Sequence, residues 1–205
     1  MSTPFIHLRV HTEFSLVDGL VKIKGLLGTT ELMSMPAVAI TDENNLCGFV
    51  RFYKGAMDKG IKPICGADVV IADDEEVDSR YRLTLLATSN QGYKNIIKII
   101  SQGYQLGQVE GRPIIQKEWI EESSDDIIAL SGAGFGDIGI LLQKGNNEQA
   151  KSRLARWMSV FPDRFYIELQ RTSRPGEEDY IHAVVPLAAE LDCPVVATND
   201  VRFLK

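Results

Sequence analysis

Histidine side chains alternate along the first apolar run of this sequence, a pattern that can place metal ligands. His7, Arg9 and His11 are two residues apart, so the two-residue period of a strand would put them on one face. Imidazoles aimed from one face of a strand can bind a metal ion, and they can equally form hydrogen bonds that serve only the structure. The spacing alone leaves both interpretations open.

Carboxylates follow the ends of several other apolar runs. Asp18 comes after the first run, Asp42 and Glu43 after the second, Asp68 lies in the third, and Asp200 ends the last. In an α/β barrel, the strand ends are where functional side chains meet. Carboxylates brought together repel one another unless a cation lies among them. That cation could be a metal ion or an arginine.

The elements that would position these side chains alternate between strands and helices. Apolar stripes at helical spacing predict helices near 49–59, 93–100, 150–161 and 177–191, with a weaker one at 20–34. Strand, helix, strand order favours βα units in a barrel or an open parallel sheet. Runs rich in β-branched residues predict seven strands, at 5–10, 37–41, 63–71, 81–87, 127–131, 164–169 and 194–198.

Composition limits the function classes. The formal net charge is −6 over 205 residues, which disfavours tight DNA binding by this chain alone. The sequence has neither a signal-peptide pattern nor an apolar run of the roughly 20 residues that a membrane helix needs, so we expect a cytoplasmic protein with no membrane partner. The acidic stretch 73–78 is expected to be a solvated loop or hairpin between two strands.

Eight ordered segments resemble the PHP domain at the start of bacterial DNA polymerase III alpha subunits. The resemblance implies a distorted, seven-stranded (β/α) TIM-like barrel. It also implies that residues 1–205 form one PHP domain, as an amino-terminal fragment of a much longer polymerase chain. The similar segments are residues 7–12, 15–19, 39–42, 45–48, 83–87, 130–132, 162–169 and 197–201.

The resemblance also implies a metal site whose ligands have changed. Metal-binding members of the family use mostly His, with Asp, Glu and one His or Cys. Arginine stays protonated and has no lone pair to offer a metal, so the site is expected to be degenerate. The family's ligand positions correspond to Arg9, His11, Asp18, Glu43, Asp68, Arg82, Ala133, Asp200 and Arg202. The positions that depart from the family's pattern are Arg9, Glu43, Arg82, Ala133 and Arg202.

We therefore predict a metal-free salt-bridge network in place of the metal site. A guanidinium can form two parallel hydrogen bonds to one carboxylate, so the arginines would neutralise the acids that metal ions once neutralised. The alternative is that the arginines lie at the rim and point into water. The network is expected to comprise Arg9, Arg82, Arg202, Asp18, Asp42, Asp68 and Asp200.

The function that the resemblance implies is that of a non-catalytic domain in a replicative DNA polymerase. It would stabilise the polymerase, contact the rest of that chain and the proofreading exonuclease subunit, and meet DNA only through the full-length enzyme. The fragment itself needs no cofactor, whereas Mg²⁺ is expected in the palm of the parent polymerase. The alternatives are a residual metal-dependent 3′–5′ exonuclease or phosphoesterase that holds one ion weakly, and a stand-alone phosphatase similar to the histidinol phosphate phosphatases.

Overall fold

The fold was analysed in a computed structural model that describes residues 5–16, 18–72 and 80–204. Helices and strands alternate along most of the chain. In order they are α1 (Ile23–Leu32), β1 (Ala37–Ile40), α2 (Phe49–Asp58), β2 (Lys62–Ala72), β3 (Arg80–Ala87), α3 (Asn90–Leu106), β4 (Gln108–Val109), β5 (Arg112–Pro113), α4 (Lys117–Glu121), β6 (Ile127–Leu130), a 3₁₀ turn (Ala133–Phe135), α5 (Asp137–Gln143), α6 (Asn147–Val160), β7 (Phe165–Gln170), α7 (Glu177–Glu190) and β8 (Val195–Thr198).

Six strands form one curled sheet in the order β1-β2-β3-β6-β7-β8, and β4 and β5 form a separate short hairpin. The pairs β1–β2, β6–β7 and β7–β8 are parallel, while β3 is antiparallel to both β2 and β6. The expectation of parallel βα units is therefore wrong at β3. The stretch between β2 and β3 is too short for the crossover helix that a parallel connection requires. The acidic residues predicted to form a loop there lie outside the described residues, namely Asp73, Asp74, Glu75, Glu76 and Asp78.

The first predicted strand, residues 5–10, is an extended segment that lacks a regular ladder. It joins the two ends of the curled sheet. On one side the backbone N–H groups of Ala39 and Thr41 donate to the carbonyl oxygens of His7 and Val10, at 2.9 and 2.8 Å. On the other side Val10 forms an isolated parallel bridge with Val201, which follows β8. The chain thus has the predicted distorted, TIM-like α/β fold, and this segment takes the place of its first strand.

The concave face of the sheet divides into an apolar and a polar half. Because side chains alternate along a strand, every second residue of β2, β3, β6, β7 and β8 points into the curl. Toward the amino ends of the parallel strands these residues are apolar, and toward the carboxyl ends they are charged or hydroxylated. The apolar half contains Leu8, Ile64, Leu86, Ile128, Leu130, Tyr166 and Val196. The polar half contains Asp68, Thr84, Glu168 and Thr198.

The helices cover the convex face of the sheet, and specific side chains cap them and pack them against the strands. Ser89 caps α3, since its hydroxyl accepts hydrogen bonds from the backbone N–H groups of Gln91 and Gly92. In α6 the buried Trp157 stacks on Phe165 of β7, with the ring planes 6° apart and the centroids 6.3 Å apart. In the described part of the chain, no helix is long and apolar enough to cross a membrane.

A glycine sets the turn after β6, and its replacement tests the packing of that turn. Gly132 has φ +75°, and a Cβ there would lie 2.3 Å from the backbone oxygen of Arg82. Gly145 has φ +76° with open space around it. We expect Gly145→Ala to cost about 1–2 kcal/mol from the left-handed conformation alone, and Gly132→Ala to cost about 1–3 kcal/mol more because the backbone must shift. Urea unfolding measures both, and equal losses would contradict this account of the turn.

Candidate functional site

The centre of the polar half is a fully buried arginine. Arg9 places its Nε 2.8 Å from Oδ2 of Asp68 and its Nη1 3.3 Å from Oε2 of Glu168. The same Nε lies 3.8 Å from Oδ1 of Asp200. Burial by itself disfavours a charged guanidinium, but the three carboxylates outweigh it and raise the pKa of Arg9. One cation is therefore held among three acids from β2, β7 and the segment after β8.

Asp68 accepts hydrogen bonds from three different residues. It receives hydrogen bonds from Arg9 Nε, from the hydroxyl of Thr84 and from His11, whose Nε2 lies 2.6 Å from Oδ2. Burial alone would raise the pKa of this carboxyl, yet the nearby charges of Arg9 and His11 hold it well below its usual range. Asp68 is consequently ionised at neutral pH although water does not reach it.

His11 is also buried, and it connects Asp68 to the rim. Its Nδ1 lies 2.9 Å from both Oδ1 of Asp18 and the hydroxyl of Ser15. Burial lowers the pKa of an imidazole, but the charge of Asp68 and the hydrogen bonds to both aspartates raise it overall, with Arg202 opposing them. The imidazole is thus held between two carboxylates, where its protonated form can donate from both nitrogens.

Arg202 occupies the mouth of the site. It pairs with Asp18 and approaches Nδ1 of His11 closely, and its Nε donates to Oδ1 of Asp200 at 2.8 Å. Asp200 in turn accepts from Nη1 of Arg174 at 2.8 Å through its other oxygen. Burial acts to raise the pKa of Asp200, but Arg9 and Arg202 bring it below its ordinary value. The guanidiniums therefore satisfy both oxygens of this nearly buried carboxylate.

The second rim arginine, Arg82, pairs with Glu43, which stands where the family's pattern has a histidine ligand. Arg82 places its Nη2 2.6 Å from Oε2 of Glu43 and 3.7 Å from Oδ2 of Asp18. This pair is partly exposed, so solvent screens it more than the pairs inside. The antiparallel direction of β3 brings Arg82 to this end, because the start of β3 pairs with the end of β2.

Two of the predicted positions lie apart from these ion pairs. Asp42, which was grouped with the arginine-paired acids, instead accepts hydrogen bonds from the backbone N–H and the hydroxyl of Thr12, at 2.6 and 2.8 Å. Burial raises the pKa of Asp42, although the two hydrogen bonds from Thr12 act to lower it. Its inclusion in the network was wrong, because both of its carboxylate oxygens accept hydrogen bonds from Thr12. Ala133 is buried in the 3₁₀ turn after β6.

Two charged members of the site were missed in the sequence. Glu168 is fully buried on β7, and its carboxylate also accepts hydrogen bonds from Thr198 and from Gln170, the latter at 3.0 Å. The two-residue period along β7 would have placed Glu168 on the concave face, next to the strand ends already considered. Arg174 lies in the loop before α7, and no local pattern in the sequence connects it with Asp200.

The donor set of this site does not fit the metal cluster that the sequence resemblance implies. Both oxygens of Asp200 and one oxygen of Asp68 already accept from guanidiniums, and Arg9 lies among three acids where a ligand would stand. Within residues 5–16, 18–72 and 80–204, no group of three or more His, Cys, Asp or Glu side chains is arranged to hold a metal ion. Fixed cations of the protein thus occupy the positions next to the acids.

The family of the chain follows from a direct comparison of sequences. The sequence model of the PHP domain family matches residues 7–172, which include Arg9, Asp68 and Glu168. The chain belongs to the PHP domain family. This family membership agrees with the TIM-like fold and with the position of the site at the carboxyl ends of the strands.

The chain is also similar over its full length to the amino-terminal region of DNA polymerase III alpha subunits. It is 51% identical over 205 residues to the DNA polymerase III subunit alpha of Pseudomonas aeruginosa. The corresponding identities are 46% for Vibrio cholerae and 47% for Escherichia coli strain K12. The PHP chain spans 18% of the length of each of these relatives.

Solved structures of distant sequences share the fold. An amidohydrolase from Chromobacterium violaceum, with bound sulfate and no metal, superimposes with a TM-score of 0.61 at 13% identity, covering 96% of this chain and 87% of that one. A two-domain protein from Bacteroides vulgatus, described as containing a predicted PHP-like metal-dependent phosphoesterase, gives the same TM-score and identity, with 96% and 51% covered. At this identity the likeness concerns the fold alone.

Removing the central arginine should destabilise the PHP chain strongly. Arg9→Ala leaves Asp68, Glu168 and Asp200 buried around an empty space, and we expect a loss of about 3–5 kcal/mol in the free energy of unfolding. The control is Glu31→Ala, which breaks the exposed pair between Glu31 and Lys59 and should cost no more than about 1 kcal/mol. Urea unfolding of the three proteins measures this, and similar losses in both variants would refute a structural role for Arg9.

The pH dependence of stability should reveal the protonated state of His11. Its pKa in the folded chain is raised above the unfolded value of about 6.5. The stabilisation is therefore fully present below pH 6.5 and is lost as the pH rises through the folded value, by at most about 1.4 kcal/mol per pH unit. His11→Gln should remove this decline above pH 6.5. His182→Gln, on the exposed face of α7, should retain it, and a parent-like slope in His11→Gln would disprove the assignment.

Proposed function

We propose that this chain is a non-catalytic PHP domain of a replicative DNA polymerase III alpha subunit, and that its ion-pair network stabilises the fold without bound metal. The single observation that carries this proposal is the buried Arg9 guanidinium, which lies 2.8 Å from Asp68 and within reach of Glu168 and Asp200. A residue that cannot ligate metal stands at the centre of the acids, so metal-assisted hydrolysis lacks its site.

The wider role follows from the similarity to alpha subunits. The chain would pack against the remainder of a longer polymerase in the cytoplasm and add to its stability. It would also offer a surface to the proofreading exonuclease subunit. DNA contact would come from other regions of that polymerase, because this chain has a net charge of −6. The Mg²⁺ needed for nucleotide addition would be bound in the palm of the parent enzyme.

The experiment that tests this proposal is a metal titration coupled to a hydrolysis assay. The purified chain is incubated with Zn²⁺ or Mn²⁺, desalted and analysed for metal, then assayed on a 3′-labelled single-stranded oligonucleotide and on p-nitrophenyl phosphate. We expect well under one equivalent of metal and no hydrolysis above a metal-only blank.

A variant that restores the family's ligand types serves as the matched control. It carries the substitutions Arg9→His, Glu43→His, Arg82→His, Ala133→Cys and Arg202→His. If protein cations displaced the metal ions, this variant should bind metal more tightly than the parent. Stoichiometric metal in the parent, with hydrolysis that His11→Ala abolishes, would instead establish the residual exonuclease or phosphoesterase.

A further inference from the structure

The outer flanks of α2 and α3 carry exposed apolar side chains at helical spacing. On α2, Val50, Tyr53 and Met57 are 58%, 47% and 56% exposed, and their spacing of three and four residues places them on one stripe. On α3, Tyr93 and Ile97 are four residues apart, and Ile97 is 39% exposed. Single exposed apolar residues are ordinary, but a contiguous apolar patch marks an interaction site.

An aromatic contact joins these two stripes into one surface. The ring of Phe49 lies 6.0 Å from that of Tyr53 on the same helix and 5.5 Å from that of Tyr93 on α3. Aromatic residues and methionine are the types enriched in the buried centres of protein interfaces. The resulting surface is called the α2–α3 face, and it consists of Phe49, Val50, Tyr53, Met57, Tyr93 and Ile97.

The charged residues of α2 and α3 are mainly positive, with Asp58 at the end of α2 as the one acid of the two helices, although the chain as a whole has a net charge of −6. Lys54 on α2 and Lys94 and Lys98 on α3 are exposed. Within the described part of the chain, the ion pairs involve other lysines and leave these three without a carboxylate. The α3 sequence contains no Asp or Glu, and like charges four residues apart on a helix repel. An anionic group from outside the chain would relieve this repulsion.

We propose that the α2–α3 face binds an acidic segment of a partner protein. The segment would pack apolar side chains against Tyr53 and Ile97 and direct carboxylates to Lys54, Lys94 and Lys98. Aliphatic residues such as Val50 and Met57 suit apolar side chains of a peptide better than the stacked bases of single-stranded DNA. The proposal is independent of the ion-pair network, because this face lies on the convex side of the sheet.

Binding is tested with two synthetic peptides that differ only in charge. Both have Leu or Phe at positions i, i+3, i+4 and i+7 of an amphipathic helix, and the remaining positions are Glu in one peptide and Lys in the other. Fluorescence polarisation with the 205-residue chain should show binding of the Glu peptide that weakens as salt is added. The Lys peptide should bind at least about tenfold more weakly, because exposed lysines repel it.

Variants locate the binding on the surface. Tyr53→Ala combined with Ile97→Ala should weaken the Glu peptide at least about tenfold, since truncated apolar anchors dominate such losses. Lys94→Glu combined with Lys98→Glu should reverse the preference toward the Lys peptide. Val185→Ala, an exposed apolar position on α7, should leave the affinity unchanged.

Circular dichroism and thermal melting establish that each variant is folded. The substituted lysines are exposed, so their double variant still tests the proposal if the apolar double variant fails to fold. Lys24→Glu on α1 is the matched charge control, because Lys24 is exposed on a different helix.

Several outcomes would overturn the proposal. Equal affinity for the two peptides would exclude charge recognition, and unchanged affinity in both double variants would place binding elsewhere. An oligodeoxythymidine that binds in place of the peptide would identify a nucleic-acid surface. Concentration-dependent dimerisation that Tyr53→Ala abolishes, without peptide binding, would identify a second copy as the occupant. Loss of peptide binding in a longer polypeptide that carries the chain would show that its own further residues cover the face.

Discussion

A guanidinium deprived of water is the constraint around which the PHP chain is organised. Arg9 has no solvent contact, and a charge in that position is tolerated only where carboxylates and hydrogen bonds compensate it. Asp68, Glu168 and Asp200 provide that compensation from three different segments of the sheet. Because each acid is itself buried or nearly so, none of the four groups can be left alone. The positions of β2, β7 and the segment after β8 are therefore fixed relative to one another.

The division of the concave face gives this constraint its strength. Apolar side chains such as Ile64 and Tyr166 line the amino-terminal half of the curl, so the ionic half has low-polarity surface on that side. Charges in such surroundings interact more strongly than they would in water, and an unpaired one is correspondingly more costly. The rim pair of Arg82 and Glu43, which solvent reaches, has a weaker influence on the fold.

Much of this architecture could be predicted from the sequence, and the failures have identifiable physical reasons. Periodicity predicts the barrel class, most of the helices and six of the seven expected strands. It does so because an element buried on one face has apolar residues at regular spacing. The strand-end argument brings Asp68 and Asp200 toward Arg9, which they meet at 2.8 and 3.8 Å. Periodicity could not show that Asp42 accepts from Thr12 and not from an arginine, because that choice depends on ångström-scale geometry. The direction of β3 and the pairing of Arg174 with Asp200 likewise depend on tertiary contacts that a local pattern does not record.

The bridge between Val10 and Val201 has a consequence for how the chain is made. The contact between His11 and Arg202 spans 191 residues. The segment that carries Arg9 therefore leaves the ribosome long before the segment after β8 has been synthesised. At bacterial elongation speeds this interval is about 10–40 s. During it, the segment can pair with β1 but cannot close the ring. Glu168 is synthesised only late in this interval, and Asp200 only at its end. Closure of the fold and complete pairing of the Arg9 charge are therefore late events that coincide during the synthesis and folding of this domain.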